Sequence, residues 1–275
     1  MIATEFLVFV AAVGAGAFGA LVGIGGGLII VPLLAIGLGV PTHVAIGVSL
    51  LGVIATSASA SATYLQSGLV DRRLGLGLLI ATASGGILGG YVAGFLDGRT
   101  LSAAFGVVLV VVALKMITSR GRPVADALAE PGRLEFDASY VEPTTGEEVG
   151  YRVGRFGPGG AVSFFAGWLS GLLGIGGGVI NVPTMNLLMG IPIRVATTTS
   201  TFMLGATAAA SAVIYYARGQ IDPLLAAPVV VGVLLGARVG ARLAHAMLQA
   251  RLQLIFALVA LVFAAQMLLR AVGAT

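Results

Sequence analysis

The chain alternates long apolar runs with short polar interruptions. An apolar region from residue 4 to 38 is broken by glycines, and unbroken apolar runs follow near 43–66, 74–96 and 101–117. Each of the last three is long enough to cross a hydrocarbon core about 30 Å thick at roughly 1.5 Å per residue. The first region, about 35 residues, is too long for one straight crossing and predicts a helical hairpin with the glycines at its turn. Between Thr118 and Pro158 the pattern changes. "RLEFDASYVEPTTGEEVGYRVG" alternates apolar and polar positions on both sides of "PTTGEE", the signature of a β-hairpin with a longer turn.

After this stretch the whole apolar pattern returns. Shifting the chain by 151 residues aligns its halves without a gap from Gly16 to about Ala113. "LVGIGGGLIIVP" (Leu21–Pro32) meets "LLGIGGGVINVP" (Leu172–Pro183), with nine of twelve positions identical. Pro41 meets Pro192, Ser49 meets Ser200, Tyr64 meets Tyr215, and Asp71 meets Asp222. The chain therefore divides into a first transmembrane repeat (1–118), a polar loop (119–158) and a second repeat (159–275). Each repeat is a glycine-broken hairpin plus three spanning helices. The number of crossings is odd whether the hairpin arms re-enter or span fully, and odd parity makes the repeats inverted copies. The expected fold is thus an all-α polytopic membrane protein of two inverted-topology repeats with a small β-hairpin-like insert.

Charge tests the inversion, because loops rich in Lys and Arg stay cytoplasmic. With the central loop and its Arg120, Arg122, Arg152 and Arg155 inside, inversion also puts Arg72 and Arg73 inside, together with Arg242, His245 and Arg251. Parallel repeats would send the last cluster outside. The expected location is the inner membrane, with a cytoplasmic central loop that acts as a linker between halves; a docking flap is the alternative. The first apolar run has no basic leader, so we read it as mature structure.

Composition removes several classes of function. Hydrophobic residues make up 58% of the 275 positions and charged residues 9%, far below the roughly 25% of soluble domains. The net charge of +4 is scattered between apolar runs, which excludes a nucleic-acid surface. With no cysteine there are no thiolate sites, and two distant histidines make no metal cluster. Seven of the eleven acids lie in the central loop, which leaves neither a proton relay nor a paired-acid hydrolase. We expect no enzyme activity, no metal and no cofactor.

Glycines inside a bilayer need a reason, since unpaired backbone there costs several kcal/mol outside protein or a water-lined cavity. A helix beginning just after the break aims free N–H groups and a positive dipole end at its contents, which suits an anion. Such helices would begin near Gly27 and Gly178, with Pro32 and Pro183 in their early turns. Broken helices at matching positions of two repeats point to a transporter's substrate site. The candidate binding residues are Gly25, Gly26, Gly27, Gly176, Gly177 and Gly178. Tight helix packing is the competing account of these glycines, and it is the one preferred for Gly85, Gly86, Gly89, Gly90, Gly236 and Gly240.

The following helix of each half adds polar groups, and the second copy is richer. Thr197, Thr198, Thr199, Ser200 and Thr201 replace Ile46, Gly47, Val48, Ser49 and Leu50, while Asn181 replaces Ile30. Ser49, Thr198, Ser200 and Asn181 join the candidates, with the aligned His43 and Arg194 as guards of the two entrances. Arg238, deeper in its segment than Arg242, either attracts anions or snorkels to the cytoplasmic face.

The duplicated "GIGGG" followed by Pro, two related halves and a polar central loop resemble the TauE/SafE family of membrane transport proteins. The matching positions are Gly23, Gly25, Gly26, Gly27 and Pro32, and Gly174, Gly176, Gly177, Gly178 and Pro183. The resemblance implies export of small sulfur-containing anions such as sulfite, sulfoacetate or related sulfonates. The expected partners are that anion and the lipid bilayer, with homodimerisation an open option. The expected function is secondary transport through the two glycine breaks. A passive anion channel and a non-transport scaffold are the alternatives.

Overall fold

The computed structural model describes residues 2–22, 25–118, 136–141, 146–243 and 249–273. Gly23, Arg120, Arg122 and His245 lie outside these residues, as do 119–135 and 142–145 of the central loop. The first half holds α1 (Ile2–Val22), α2 (Gly27–Pro32) with a π-helical turn (Leu33–Gly37), α3 (Thr42–Gln66), α4 (Arg72–Ala93) and α5 (Gly98–Thr118). Strands β1 (Phe136–Val141) and β2 (Glu148–Val153) pair antiparallel, Phe136 opposite Val153, as the alternation predicts. The second half repeats the first: α6 (Phe156–Leu173), α7 (Gly178–Pro183) with a π-helical turn (Thr184–Leu188), α8 (Ile193–Ala217), α9 (Pro223–Leu243) and α10 (Gln249–Val272).

Local chemistry sets these boundaries. Pro41 and Pro192, in extended conformation, precede α3 and α8. Gly68 and Gly219 follow their last turns at positive φ, the left-handed stop that glycine takes without strain. The Asp71 carboxylate accepts from the Leu74 amide at 3.0 Å and caps α4. Pro32 and Pro183 depart from the expectation of early-turn prolines. Each is the sixth and last residue of its short helix and leads into the π turn. A proline there has no N–H to give the carbonyl four residues back, so α-helical bonding yields to a wider turn.

Among the described residues, four helices, α3, α4, α8 and α9, are long and apolar enough to cross a membrane. Shorter apolar stretches lie in α1, α5 and α10 and in the 27–37 arm. Phe6, Ile80, Ile87, Leu224 and Val262 are exposed on these helices, as expected of residues facing acyl chains.

The halves interlock. α1 packs along α9, and its counterpart α6 along α4; α3 packs on α8 and α5 on α10. A Cβ at Gly236 or Gly240 would strike α1 at the carbonyl of Val13 or Ala17, and one at Gly85 or Gly89 would strike α6 at Phe164 or Trp168. These glycines serve close backbone packing. The equivalence extends to single bonds: Tyr64 Oη donates to the Ala20 carbonyl at 3.0 Å, and Tyr215 Oη to the Gly171 carbonyl at 3.1 Å. α3 and α8 run antiparallel. The early turn of α3 at Gly47 abuts the Gln220 carbonyl beyond α8, and Thr198 in the first turns of α8 donates to the Leu69 carbonyl beyond α3 at 2.6 Å.

Candidate functional site

Both glycine breaks lie between α3 and α8 and rest on the same two side chains. A Cβ at Gly25 would sit 3.4 Å from Val53 Cγ1 and 3.6 Å from Leu204 Cδ1; one at Gly176 would sit 2.9 and 3.2 Å from the same two residues. Val53 and Leu204 are the twelfth residues of helices 25 residues long, so the breaks converge at mid-length of the two most buried central helices. Gly25, Gly174, Gly176 and Gly177 hold φ between +71° and +83°, a region that side chains other than glycine enter only with strain. α2 and α7 start immediately afterwards.

The breaks also touch one another. A Cβ on Gly27 would collide with the Gly174 carbonyl oxygen and lie 2.9 Å from Ser49 Oγ. Ser49, fully buried, donates to that same Gly174 carbonyl at 2.8 Å. Ser49 is therefore wedged between the first break and the second. Gly26 faces the Ala15 carbonyl of α1, and Gly177 the Ala166 carbonyl of α6. Close approach thus accounts for part of the glycine pattern alongside the turn geometry.

Among the described residues, the second half contributes more buried polar groups than the first. Ser170, Asn181 and Ser200 are all at least 98% buried, and Ser170 Oγ, Asn181 Oδ1 and Ser200 Oγ have no hydrogen-bond partner among the described residues. Ser170 Cβ lies 3.4 Å from where a Gly177 side chain would begin. Their counterparts in the first half are Gly19, Ile30 and the bonded Ser49. Nearby, Thr207 Oγ1 donates to Thr82 Oγ1 at 2.9 Å; the positions equivalent to this pair are Thr56 on α3 and Val233 on α9. Ser170 and Thr82 were not singled out by the sequence. A serine or threonine in an apolar helix ordinarily bonds to its own backbone, and only comparison with Gly19 and Val233 marks these two.

The remaining candidates stand apart from this centre. Thr198 commits its hydroxyl to Leu69, Arg194 and Val195 carbonyls in the first turns of α8. His43 Nε2, in the first turn of α3, lies 3.2 and 3.0 Å from the Ala93 and Leu96 carbonyls at the end of α4. Arg194 occupies the matching place on α8. These three belong to the ends of the central helices.

The β-hairpin closes the second side from one end. Val153 is fully buried with Leu74, Leu78, Met185, Met189 and Val195. Tyr151 Oη donates to Asp71 Oδ2 at 2.9 Å, tying β2 to the start of α4. Burial and then the Asp71 charge push the Tyr151 phenol well above the ordinary tyrosine range.

Known proteins place this architecture. The chain matches the family model "Sulfite exporter TauE/SafE" over residues 8–267. It is 34% identical over 226 residues to the probable membrane transporter protein YunE of Bacillus subtilis, covering 79% of this chain and 80% of that one. It is 26% identical over 214 residues to a probable membrane transporter protein of Xylella fastidiosa, covering 77% and 74%. No solved structure matches. A duplicated glycine break in paired apolar helices, matched by the family model over nearly its whole length, makes this chain a member of the TauE/SafE sulfite exporter family.

Proposed function

We propose that the protein is a secondary membrane transporter that exports a small sulfur-containing anion, such as sulfite, sulfoacetate or a similar sulfonate. Its substrate site lies where the two breaks face each other between α3 and α8. The observation that carries this reading is the convergence of Gly25 and Gly176 on Val53 and Leu204 at mid-length of both helices. The leading N–H groups of α2 and α7 lack partners within their helices and favour negative charge. Ser170, Ser200 and Asn181 supply further donors on the second side; rotating the Asn181 amide brings its Nδ2 to where Oδ1 now stands unpaired.

The antiparallel course of the equivalent helices α3 and α8 supports inverted repeats, with the central hairpin and the Arg72–Arg73 turn cytoplasmic in the inner membrane. In such a pair, alternating access exposes a fixed site to each side in turn. The contact of Gly27 with the Gly174 carbonyl favours a gated transporter over an open channel.

The test is thermal unfolding of purified protein with sulfite, thiosulfate, sulfoacetate, taurine, sulfate and succinate. A ligand of the folded state raises the midpoint once its concentration exceeds Kd. We expect stabilisation by a sulfur oxyanion, lost in Asn181→Ala. A folded protein unmoved by any of them would remove the proposed substrate class.

A further inference from the structure

A polar recess lies away from the breaks, on the flank shared by α3 and α9. A cavity of about 280 Å³ opens there, lined by Ser59, Thr63, Gln66, Leu234, Arg238 and Arg242 among others. Arg238 and Arg242 stand one helical turn apart on α9, so their side chains share a face. Both are exposed. Neither guanidinium has a hydrogen-bond or ion-pair partner among the described residues, and the lining holds no acid. Two uncompensated positive charges thus face a recess whose other wall offers two hydroxyls and an amide. Ser59 already donates to the Leu234 carbonyl at 3.1 Å, which leaves Thr63 and Gln66 as the wall's free donors among the described residues.

The scaffold does not require this chemistry. The matching groove between α8 and α4 has Ala210, Ile214, Ala217, Ala83, Ile87 and Tyr91 in the places of Ser59, Thr63, Gln66, Leu234, Arg238 and Arg242. One copy of the groove is apolar; the other carries two arginines and three polar side chains. The cavity lies where both helices end: Gln66 is the last residue of α3, and Arg242 the penultimate residue of α9. Arg238 is about 7.5 Å from the end of α9 at roughly 1.5 Å per residue, a depth from which its guanidinium reaches the headgroup layer.

We infer that this recess binds a tetrahedral oxyanion group, with Arg238 and Arg242 as its charge partners and Thr63 and Gln66 as neutral donors. A phosphodiester headgroup of an anionic lipid and a free oxyanion such as sulfate present the same chemistry. The inference is independent of the site proposed at the breaks and stands if that proposal fails.

The experiment uses the full-length protein in detergent. Native mass spectrometry compares retention of phosphatidylglycerol with phosphatidylcholine, and a parallel titration follows sodium sulfate against chloride at equal ionic strength. Wild type should favour phosphatidylglycerol roughly tenfold or more, the attraction of two basic side chains to an anionic headgroup. Arg238→Gln/Arg242→Gln should reduce that preference to the phosphatidylcholine level, and Arg238→Lys/Arg242→Lys should retain most of it. Gln66→Trp, which keeps both arginines and fills the recess, should lower retention without altering charge. Lipid retention that sulfate does not displace identifies the headgroup as the ligand. Sulfate binding that competes with lipid, or occurs without it, identifies the free oxyanion. Equal lipid retention and equal sulfate response in wild type and a monodisperse Gln double variant would overturn the assignment.

Discussion

At Gly27 an added methyl group would collide with the Gly174 carbonyl and crowd Ser49. Gly27→Ala should therefore force the two breaks apart and lower the unfolding midpoint, whereas Gly14→Ala should not, because nothing lies within 4 Å of that position. On an open helix face the alanine should instead stabilise by up to about 1 kcal/mol. Asn181 gives the opposite kind of test. Its buried acceptor is unpaired among the described residues, which costs roughly 1–3 kcal/mol. Asn181→Leu, which keeps the branching and heavy-atom count of the side chain and removes the polar group, should leave the midpoint unchanged or higher while abolishing the shift caused by substrate. A fall in midpoint with substrate response intact would assign Asn181 to folding instead of binding. Asn181 was legible in the sequence because it replaces Ile30 in an otherwise apolar match. Thr198 stands out for the same reason, because it replaces Gly47; its hydroxyl serves the Leu69 carbonyl, 129 positions away, a pairing no local pattern reveals.

Among the elements, the breaks were legible and their company was not. Glycine runs followed by proline fix where α2 and α7 begin, since few other sequences turn a chain within a membrane. That Gly27 would rest on Gly174 depends on two segments meeting face to face, and sequence alone does not measure that distance. The β-hairpin was legible from its alternation, but its docking was not. Val153 is buried under Met185 and Met189 beyond the second break, and Tyr151 holds Asp71. Tyr151→Phe removes the only hydroxyl on Asp71 Oδ2 among the described residues while sparing the cap on Leu74 through Oδ1. We expect faster proteolytic cleavage of the hairpin with α4 intact. The raised phenol pKa has its own consequence. The folded state keeps the Tyr151 proton, so its contribution to stability is full below about pH 10, the ordinary tyrosine value, and declines as pH rises above it, where the unfolded phenol ionises. Hairpin cleavage should therefore quicken above that pH in the wild type and not in Tyr151→Phe.

For the molecule as a whole, orientation is the property to measure. The chain has no cysteine, so a single introduced thiol is labelled without background. Arg73 and Leu224 occupy matching exposed positions at the starts of α4 and α9. Inverted repeats require that Arg73→Cys react with a membrane-impermeant maleimide from the cytoplasmic side and Leu224→Cys from the other; labelling from one side alone would make the repeats parallel.

The interlocked packing of α1 with α9 and of α6 with α4 also bears on how the protein is made. α1 leaves the ribosome well before α9, and the surface that covers its Gly16 face is synthesised more than two hundred residues later. Until then its small-residue stripe faces lipid or an insertion partner, and neither repeat holds its own first helix in place. A chain ended after α8 should insert and then be degraded. Two halves made as separate polypeptides should rebuild a full molecule, because every principal helix pairing joins one half to the other.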